Sequence, residues 1–355
     1  MIEKVRHIGP ALYVQGGISS VLVSYKKLFN LPEEYFIASY NGSFAKSLPI
    51  LLLVCMKLLF CPEKGVAYYQ IHTSFNGSFL RKFLISLCLR IRGKKYTTHI
   101  HGSRFKEFCS KAPAPLKFCI RSYFLHSQTV ICITPDMQEF MDAFVGKGKC
   151  SFVVIPNPCQ TIAEKPVDLS THQQPVKIVF SGRYGHRKGV YDLIKAFSQA
   201  EFKTPVEMFL FGDGEVEKVR SEATASSCGD KIHVSGWLTH AEYLNRLVEF
   251  DLLALPSYAE TFGMSLVEAM GLGIPVVSTF SGGVPYVVEN GKDGFLVEAG
   301  DVSALSKKLE ELVENQSLRI QMGQTAWNSC VTKFAGNVVL DLLEDCYQKL
   351  DGSNV

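Results

Sequence analysis

The sequence predicts an α/β protein built from two doubly wound, Rossmann-like domains, and three observations carry that prediction. The chain has 355 residues, about twice the size of an ordinary domain, and the composition of a globular protein. Strand and helix signals alternate along nearly its whole length, the pattern of parallel sheets covered by helices. The alternation runs twice, with one break between Cys159 and Pro175, where Pro166, Ser170, Thr171, Gln173 and Gln174 interrupt any period.

In order, residues 5–8 read as a strand, 9–17 as a loop and 18–29 as a helix. A strand near 66–72, a helix over 79–92, a strand over 95–101, a helix near 115–126 and strands at 129–134 and 152–155 complete the first series. After the break come strand 176–181, helix 190–199, strand 206–212, helix 215–225, strand 231–234 and helix 240–250. Strands 252–255 and 275–279 flank a helix over 262–271, and helices near 302–315, 318–331 and 336–350 close the chain. The expected division is a first domain over 1–165, a second over 176–335, and a terminal helix within 336–355 packing back toward the first. Two such domains in series are expected to face each other across a cleft, with loops at the carboxyl ends of their strands carrying the chemistry.

Charge is uneven. Residues 1–165 hold about 21 Lys and Arg against 9 Asp and Glu, roughly +12, and the remainder about 16 against 25, roughly −9. Arg81-Lys82, the run from Arg90 to Lys95, and Arg104 with Lys106 supply much of the excess. The first domain therefore either meets an anionic partner, for which a membrane surface or a lipid-linked phosphate suits better than nucleic acid, or presents a solvated basic face. No aromatic and basic recognition module for nucleic acid is present. The apolar run 48–61, broken by Lys57, is shorter than the roughly 20 residues that cross a bilayer. It reads as a packed core helix or as a membrane-facing amphipathic one. Eleven scattered cysteines, with no C-x-x-C pair and no Cys/His cluster at zinc spacing, indicate neither a disulfide framework nor a metal knuckle. With no apolar signal core at the N-terminus, the expected home is the cytoplasm, peripheral to the inner face of the plasma membrane if the anionic surface is real.

The sharpest motif follows strand 252–255: Pro256 to Gly271, with Glu260 in a loop and Glu268 about two turns into a helix. Amides of Phe262, Gly263 and Met264 make the positive end of that helix, a seat for a diphosphate. A carboxylate on either side of an anion site can accept hydrogen bonds from sugar hydroxyls. Strand 176–181 runs into Gly182-Arg183-Tyr184-Gly185-His186-Arg187-Lys188-Gly189, three cations before a helix. In the first domain, Gly16-Gly17-Ile18-Ser19 opens a helix without the G-x-G-x-x-G spacing of a dinucleotide site. His99 and His101, two apart on a strand, point to one side.

These stretches resemble the retaining glycosyltransferases of GT-B architecture, family 4. The Glu260–Glu268 pair, Gly273 to Ser278, Gly282-Gly283-Val284-Pro285 and Asn290 to Val297 carry the likeness over most of residues 176–300. Tyr286 departs from it, standing where the family more often has an acid, and takes no role. The resemblance implies that Glu268 binds ribose hydroxyls of a nucleotide-sugar donor, that Glu260 holds the donor sugar near its reacting carbon, and that Arg183 and Lys188 neutralise the diphosphate. Arg187 is a solvated neighbour. Gly17 meets the phosphate, His101 contacts the sugar, and His99 stays in the core or behind His101. Gly212-Asp213-Gly214, alone only a turn signal, resembles a turn lining the nucleotide pocket, and Asn157 a turn at the cleft floor, which a plain Asn-Pro turn explains almost as well.

The implied activity is transfer of a hexose or N-acetylhexosamine, with UDP as the expected carrier, to a saccharide acceptor linked to a lipid diphosphate, in bacterial surface polysaccharide (O-antigen, lipopolysaccharide) assembly. No metal or cofactor is expected, since fixed cations can stabilise the leaving diphosphate. A transferase with a soluble acceptor, or a catalytically silent nucleotide-sugar-binding subunit, are the alternatives.

Overall fold

The computed structural model describes residues 1–352 except 15, 62 and 103, and only the backbone at 44–46. The chain divides into two compact units, residues 1–158 with 336–355, and residues 159–335.

In the first unit, strands β1 (Val5–Gly9), β2 (Phe36–Ala38), β3 (Tyr68–Thr73), β4 (Tyr96–Ile100), β5 (Val130–Cys132) and β6 (Phe152–Val154) form one sheet in the order β2-β1-β3-β4-β5-β6. Every pairing is parallel, so each connection must cross back over a face. The crossings are made by α1 (Gly17–Leu28), α2 (Phe44–Phe60), α3 (Gly77–Ile91), α4 (Phe105–Lys111), α5 (Ala114–Leu125) and α6 (Pro135–Val145). Strand β3 is buried throughout, as a strand covered on both faces must be. Ile8, Tyr69, Ile71 and Ile100 join the helical core around Phe79, Tyr123 and Phe124. The opposite strand positions carry polar rings. Register sets His7 against Gln70 and His72 against His99, so His7, Gln70, His72, His99 and His101 share one face.

The second unit repeats the design with β7 (Val176–Ser181), β8 (Val206–Phe211), β9 (Ile232–Ser235), β10 (Leu252–Leu255), β11 (Val276–Thr279) and β12 (Gly294–Val297), ordered β12-β11-β10-β7-β8-β9 and all parallel. Its helices are α7 (Val190–Gln199), α8 (Val216–Ala225), α9 (His240–Leu247), α10 (Met264–Gly271), α11 (Val284–Val287), α12 (Val302–Glu314) and α13 (Gln316–Phe334). Thr239 and Glu242 close α9 in a reciprocal capping box, and Asp301 and Asn315 accept amides at the starts of α12 and α13. The last helix, α14 (Gly336–Gly352), returns to the first unit, where Val339, Leu343 and Tyr347 pack with Val5, Tyr25 and Tyr68.

The boundary falls at Pro158/Cys159, earlier than the polar stretch suggests. Residues 159–175 are fastened to the second unit by Ala163 N–H to Gly271 O (3.0 Å), Val167 N–H to Leu272 O (2.8 Å) and the Trp327 indole N–H to Ala163 O (2.9 Å). Helix α10 begins at Met264, not Phe262, because Gly263 caps it in a left-handed conformation; Glu268 is therefore little more than one turn in. Strands β2 and β12, and helices α4 and α6, were not anticipated from periodicity. The run 48–61 is apolar on both faces: Leu51, Val54 and Leu58 are buried, while Leu48, Leu52, Leu53, Met56 and Phe60 face outward. Among the described residues no helix is long and apolar enough to cross a membrane.

Leu343, fully buried in α14, tests the dependence of the first unit on this helix. Leu343→Ala should destabilise that unit by about 2–5 kcal/mol. Hydrogen exchange should show lost protection in β1 and β3 with α10 and α13 unchanged.

Candidate active site

In the second sheet the chain leaves β7 toward β8 and β9, then crosses back to lay β10, β11 and β12 on the other side. The connections after β7 and β10 therefore diverge from adjacent strand ends, the place where open α/β sheets bind ligands. Both sharp motifs are there. Gly189 has φ 70°, and a Cβ on it would stand 1.9 Å from Pro256 O, so only glycine lets the first turn close on the second. Tyr258 N–H donates to Arg187 O (2.9 Å), and the His186 ring stacks on Tyr258 at 4.2 Å.

The closure joins two residues 72 apart in sequence: the Lys188 ammonium pairs with the Glu260 carboxylate. Sequence reading gave the two separate tasks, and the structure makes them counterions. Burial alone would push the Glu260 carboxyl up, but the Lys188 charge and hydrogen bond, the Thr261 N–H (3.0 Å) and the Arg187 charge hold it below its ordinary value. Gly282 fixes the backbone of Glu260 from the far side, since a Cβ there would meet Glu260 O at 1.9 Å. Arg187 is exposed and donates to Ala259 O (3.2 Å), binding turn to turn. Arg183 is exposed and, among the described residues, has no hydrogen bond or ion pair, so its charge is available.

Phe262 anchors the start of α10, its ring edge-on to Phe334 at 5.3 Å. Among the described residues the amides of Phe262, Gly263 and Met264 find no acceptor, which leaves the positive helix end open to an anion. Glu268 is buried, and His240 Nε2 lies 2.8 Å from its Oε1. Sequence reading missed His240: a histidine one residue after the Thr239 cap carries no local signal, and only the packing of α9 against α10 makes it a partner. Tyr184 braces the turn 212–214, with Tyr184 N–H to Asp213 O at 2.6 Å and its hydroxyl donating to Ser235 O at 2.6 Å.

In the first unit, Gly17 opens α1 just beyond β1 and is exposed, with nothing within 4 Å of where a Cβ would stand. His101 follows β4 and is only 5% exposed. Its Nε2 lies 3.0 Å from His72 Nδ1, and the His99 ring lies 4.2 Å from its own. Burial pushes His101 down to about 3, so it is neutral at physiological pH. One ring nitrogen from each of His72, His99 and His101 lies within 4.8 Å of the other two, close enough in principle for a transition metal. His72 Nδ1 and His101 Nε2, however, face each other in a hydrogen bond. Lys82, unremarked in the sequence beyond its charge, is buried against the Ser39 hydroxyl, and burial followed by the Arg81 charge lowers it to about 7. Asn157 is buried, with its side-chain oxygen unpartnered.

The chain is also similar to known proteins. The chain is similar to the lipopolysaccharide core biosynthesis glycosyltransferase LpsE of Rhizobium meliloti, 27% identical over 224 residues, 62% of this chain and 64% of that protein's length. It is also similar to a D-inositol 3-phosphate glycosyltransferase of Corynebacterium jeikeium, 26% identical over 338 residues, 88% of this chain and 80% of the relative. Among solved structures it resembles HepE of Anabaena in complex with UDP-glucose (TM-score 0.74, 18% identity, 97% of this chain and 99% of that one). It resembles sucrose-phosphate synthase of Thermosynechococcus elongatus as well (TM-score 0.79, 15% identity, 99% of both). At such identities the likeness is one of fold, two Rossmann-like domains of the GT-B type. The family model for glycosyl transferases group 1 matches residues 130–328. That match covers more than half of the chain, and with the site at the strand ends it places the protein in the group 1 glycosyl transferases, as a glycosyltransferase of GT-B fold.

Proposed function

We propose that the protein moves a hexose or N-acetylhexosamine from a UDP-sugar to a saccharide acceptor carried on a lipid diphosphate, in bacterial surface polysaccharide assembly, with retention at the anomeric carbon and without a metal ion. The observation that carries this is the Lys188–Glu260 pair, set beside the unpaired Arg183 and the open amides of α10 at the ends of β7 and β10. The name of LpsE supports the polysaccharide setting, and the UDP-glucose complex of HepE supports the donor class.

In this reading the donor diphosphate lies on the amides of Phe262, Gly263 and Met264 and between Arg183 and Lys188. Glu260, released from Lys188 as the phosphate takes its place, accepts a hydroxyl of the sugar. Glu268, held by His240, accepts ribose hydroxyls. From the first unit, His101 is assigned to the sugar and Gly17 to the phosphate. The C–O bond from the anomeric carbon to the β-phosphate breaks as the acceptor oxygen bonds on the same face, and the leaving phosphate oxygen takes the acceptor's proton. The charge built on that phosphate is stabilised by fixed cations and helix amides that need no reorganisation.

The acceptor's lipid implies a surface to meet it. Leu48, Leu52, Leu53, Met56 and Phe60 on α2, with Leu80, Leu84 and Ile91 on the adjoining α3, are exposed. Lys64, Arg92 and Lys95 are exposed near their carboxyl ends. Apolar side chains flanked by cations are suited to an anionic membrane.

Three measurements test these assignments. Nucleotide release from a panel of nucleotide sugars, with and without saccharide acceptors, should select a UDP-sugar and persist in EDTA; full dependence on added manganese would overturn the metal-free mechanism. Lys188→Ala should lower kcat about 10²–10³-fold, while Glu268→Ala should chiefly raise KM for the donor. In vesicle flotation, binding should require anionic lipid and fall at least about tenfold in a Leu52→Glu, Leu53→Glu double variant.

A further inference from the structure

Three imidazoles on neighbouring strands form a chain. His7 Nδ1 lies 3.2 Å from His72 Nε2, and His72 Nδ1 lies 3.0 Å from His101 Nε2. All three are buried, and burial keeps them neutral, helped at His7 by the charge of Arg6 and at His72 by the neighbouring histidines and Lys82. A neutral imidazole has one N–H, and each junction uses one. Only two arrangements satisfy both junctions. Either every ring carries its proton on Nδ1, with donation running from His7 to His101, or every ring carries it on Nε2, with donation running back.

The far end of the chain decides between them. His7 Nε2 is fully buried and has no partner among the described residues. Its ring is stacked on Phe36 at 5.2 Å and edge-on to Tyr25 at 5.5 Å. Orphaned buried N–H groups are rarer than under-satisfied acceptors, so this aromatic wall favours a bare lone pair over a donor. At the near end, His101 Nδ1 has no hydrogen bond among the described residues and is not one of the buried orphans.

We infer that His72, backed by His7, is a positioning residue that fixes His101 as the Nδ1–H tautomer, so that it offers the donor sugar a hydrogen-bond donor rather than an acceptor. The inference rests on the reading of His101 as a sugar contact. His99 stands beside the chain, its Nδ1 3.0 Å from the Gln70 side-chain amide and its Nε2 buried without a partner. The same rule puts its proton on Nδ1, with the Gln70 amide turned so that its oxygen accepts from His99 and its NH2 donates to the Tyr347 hydroxyl oxygen.

Long-range ¹H–¹⁵N correlation spectra of the full-length, ligand-free protein with ¹⁵N-labelled histidine read each tautomer directly. His101 and His72 should both be protonated on Nδ1; His101 protonated on Nε2 in the wild-type protein overturns the proposal without any variant. His72→Phe keeps a ring in place and removes both hydrogen bonds. It should release His101 toward the Nε2–H form and lower kcat for nucleotide release about 10- to 100-fold with little change in donor KM. An unchanged tautomer in this variant overturns the proposal, and so does a changed tautomer with unchanged kcat while His101→Ala lowers it. If His101→Ala itself leaves kcat intact, the reading of His101 as a sugar contact falls and takes the role inferred for His72 with it.

Discussion

Gly189 lies so close to the carbonyl of Pro256 that the smallest side chain would collide with it, and this approach ties the turn after β7 to the turn after β10. Neither turn could place its charges alone. Lys188 comes from one and Glu260 from the other, and the two meet because the backbones touch one residue away from the lysine. Gly282 closes on the Glu260 backbone from a third connection, while the carboxylate is held by the Thr261 N–H and the Lys188 ammonium. A largely buried carboxylate needs such compensation to stay ionised, and the Lys188 charge and hydrogen bond lower its pKa against the opposing effect of burial.

The two units solve opposite electrostatic problems. In the second, charge is gathered at the strand ends and left partly open, and among the described residues neither Arg183 nor the first amides of α10 have a hydrogen-bond partner. In the first, the corresponding strand face is filled with neutral rings that hydrogen-bond one another, and the positive excess is spread over the outside. A neutral polar stripe beneath a basic surface avoids the cost of burying charge and still provides directional groups. Lys82 is the exception, a buried cation whose described hydrogen-bond partner is a serine hydroxyl.

Much of this was legible in the sequence because the signals are local. Periodicity located most strands and helices, and Glu260, Arg183 and the histidines at the end of β4 each lie within a few residues of a strand terminus. What was not legible is whatever needs register or packing. Strands β2 and β12, three and four residues long, are defined by their pairing with β1 and β11. The pairing of His240 with Glu268 and of His7 with His72 depends on which elements lie side by side. The polar stretch 159–175 has the composition of a linker, yet its backbone is hydrogen-bonded along α10 and α13, which composition does not encode.

Helix α14 completes the core of the first unit but follows the second unit in the chain, with Val339, Leu343 and Tyr347 closing over β1 and β3. During synthesis, then, the half that emerges first from the ribosome is the half that must wait. Residues 159–335 can condense as soon as they are clear, while the first sheet keeps an uncovered face until the last helix is made. The order of translation and the order of completion run in opposite directions, and a chain cut short before residue 336 would have a whole second unit joined to an unfinished first one.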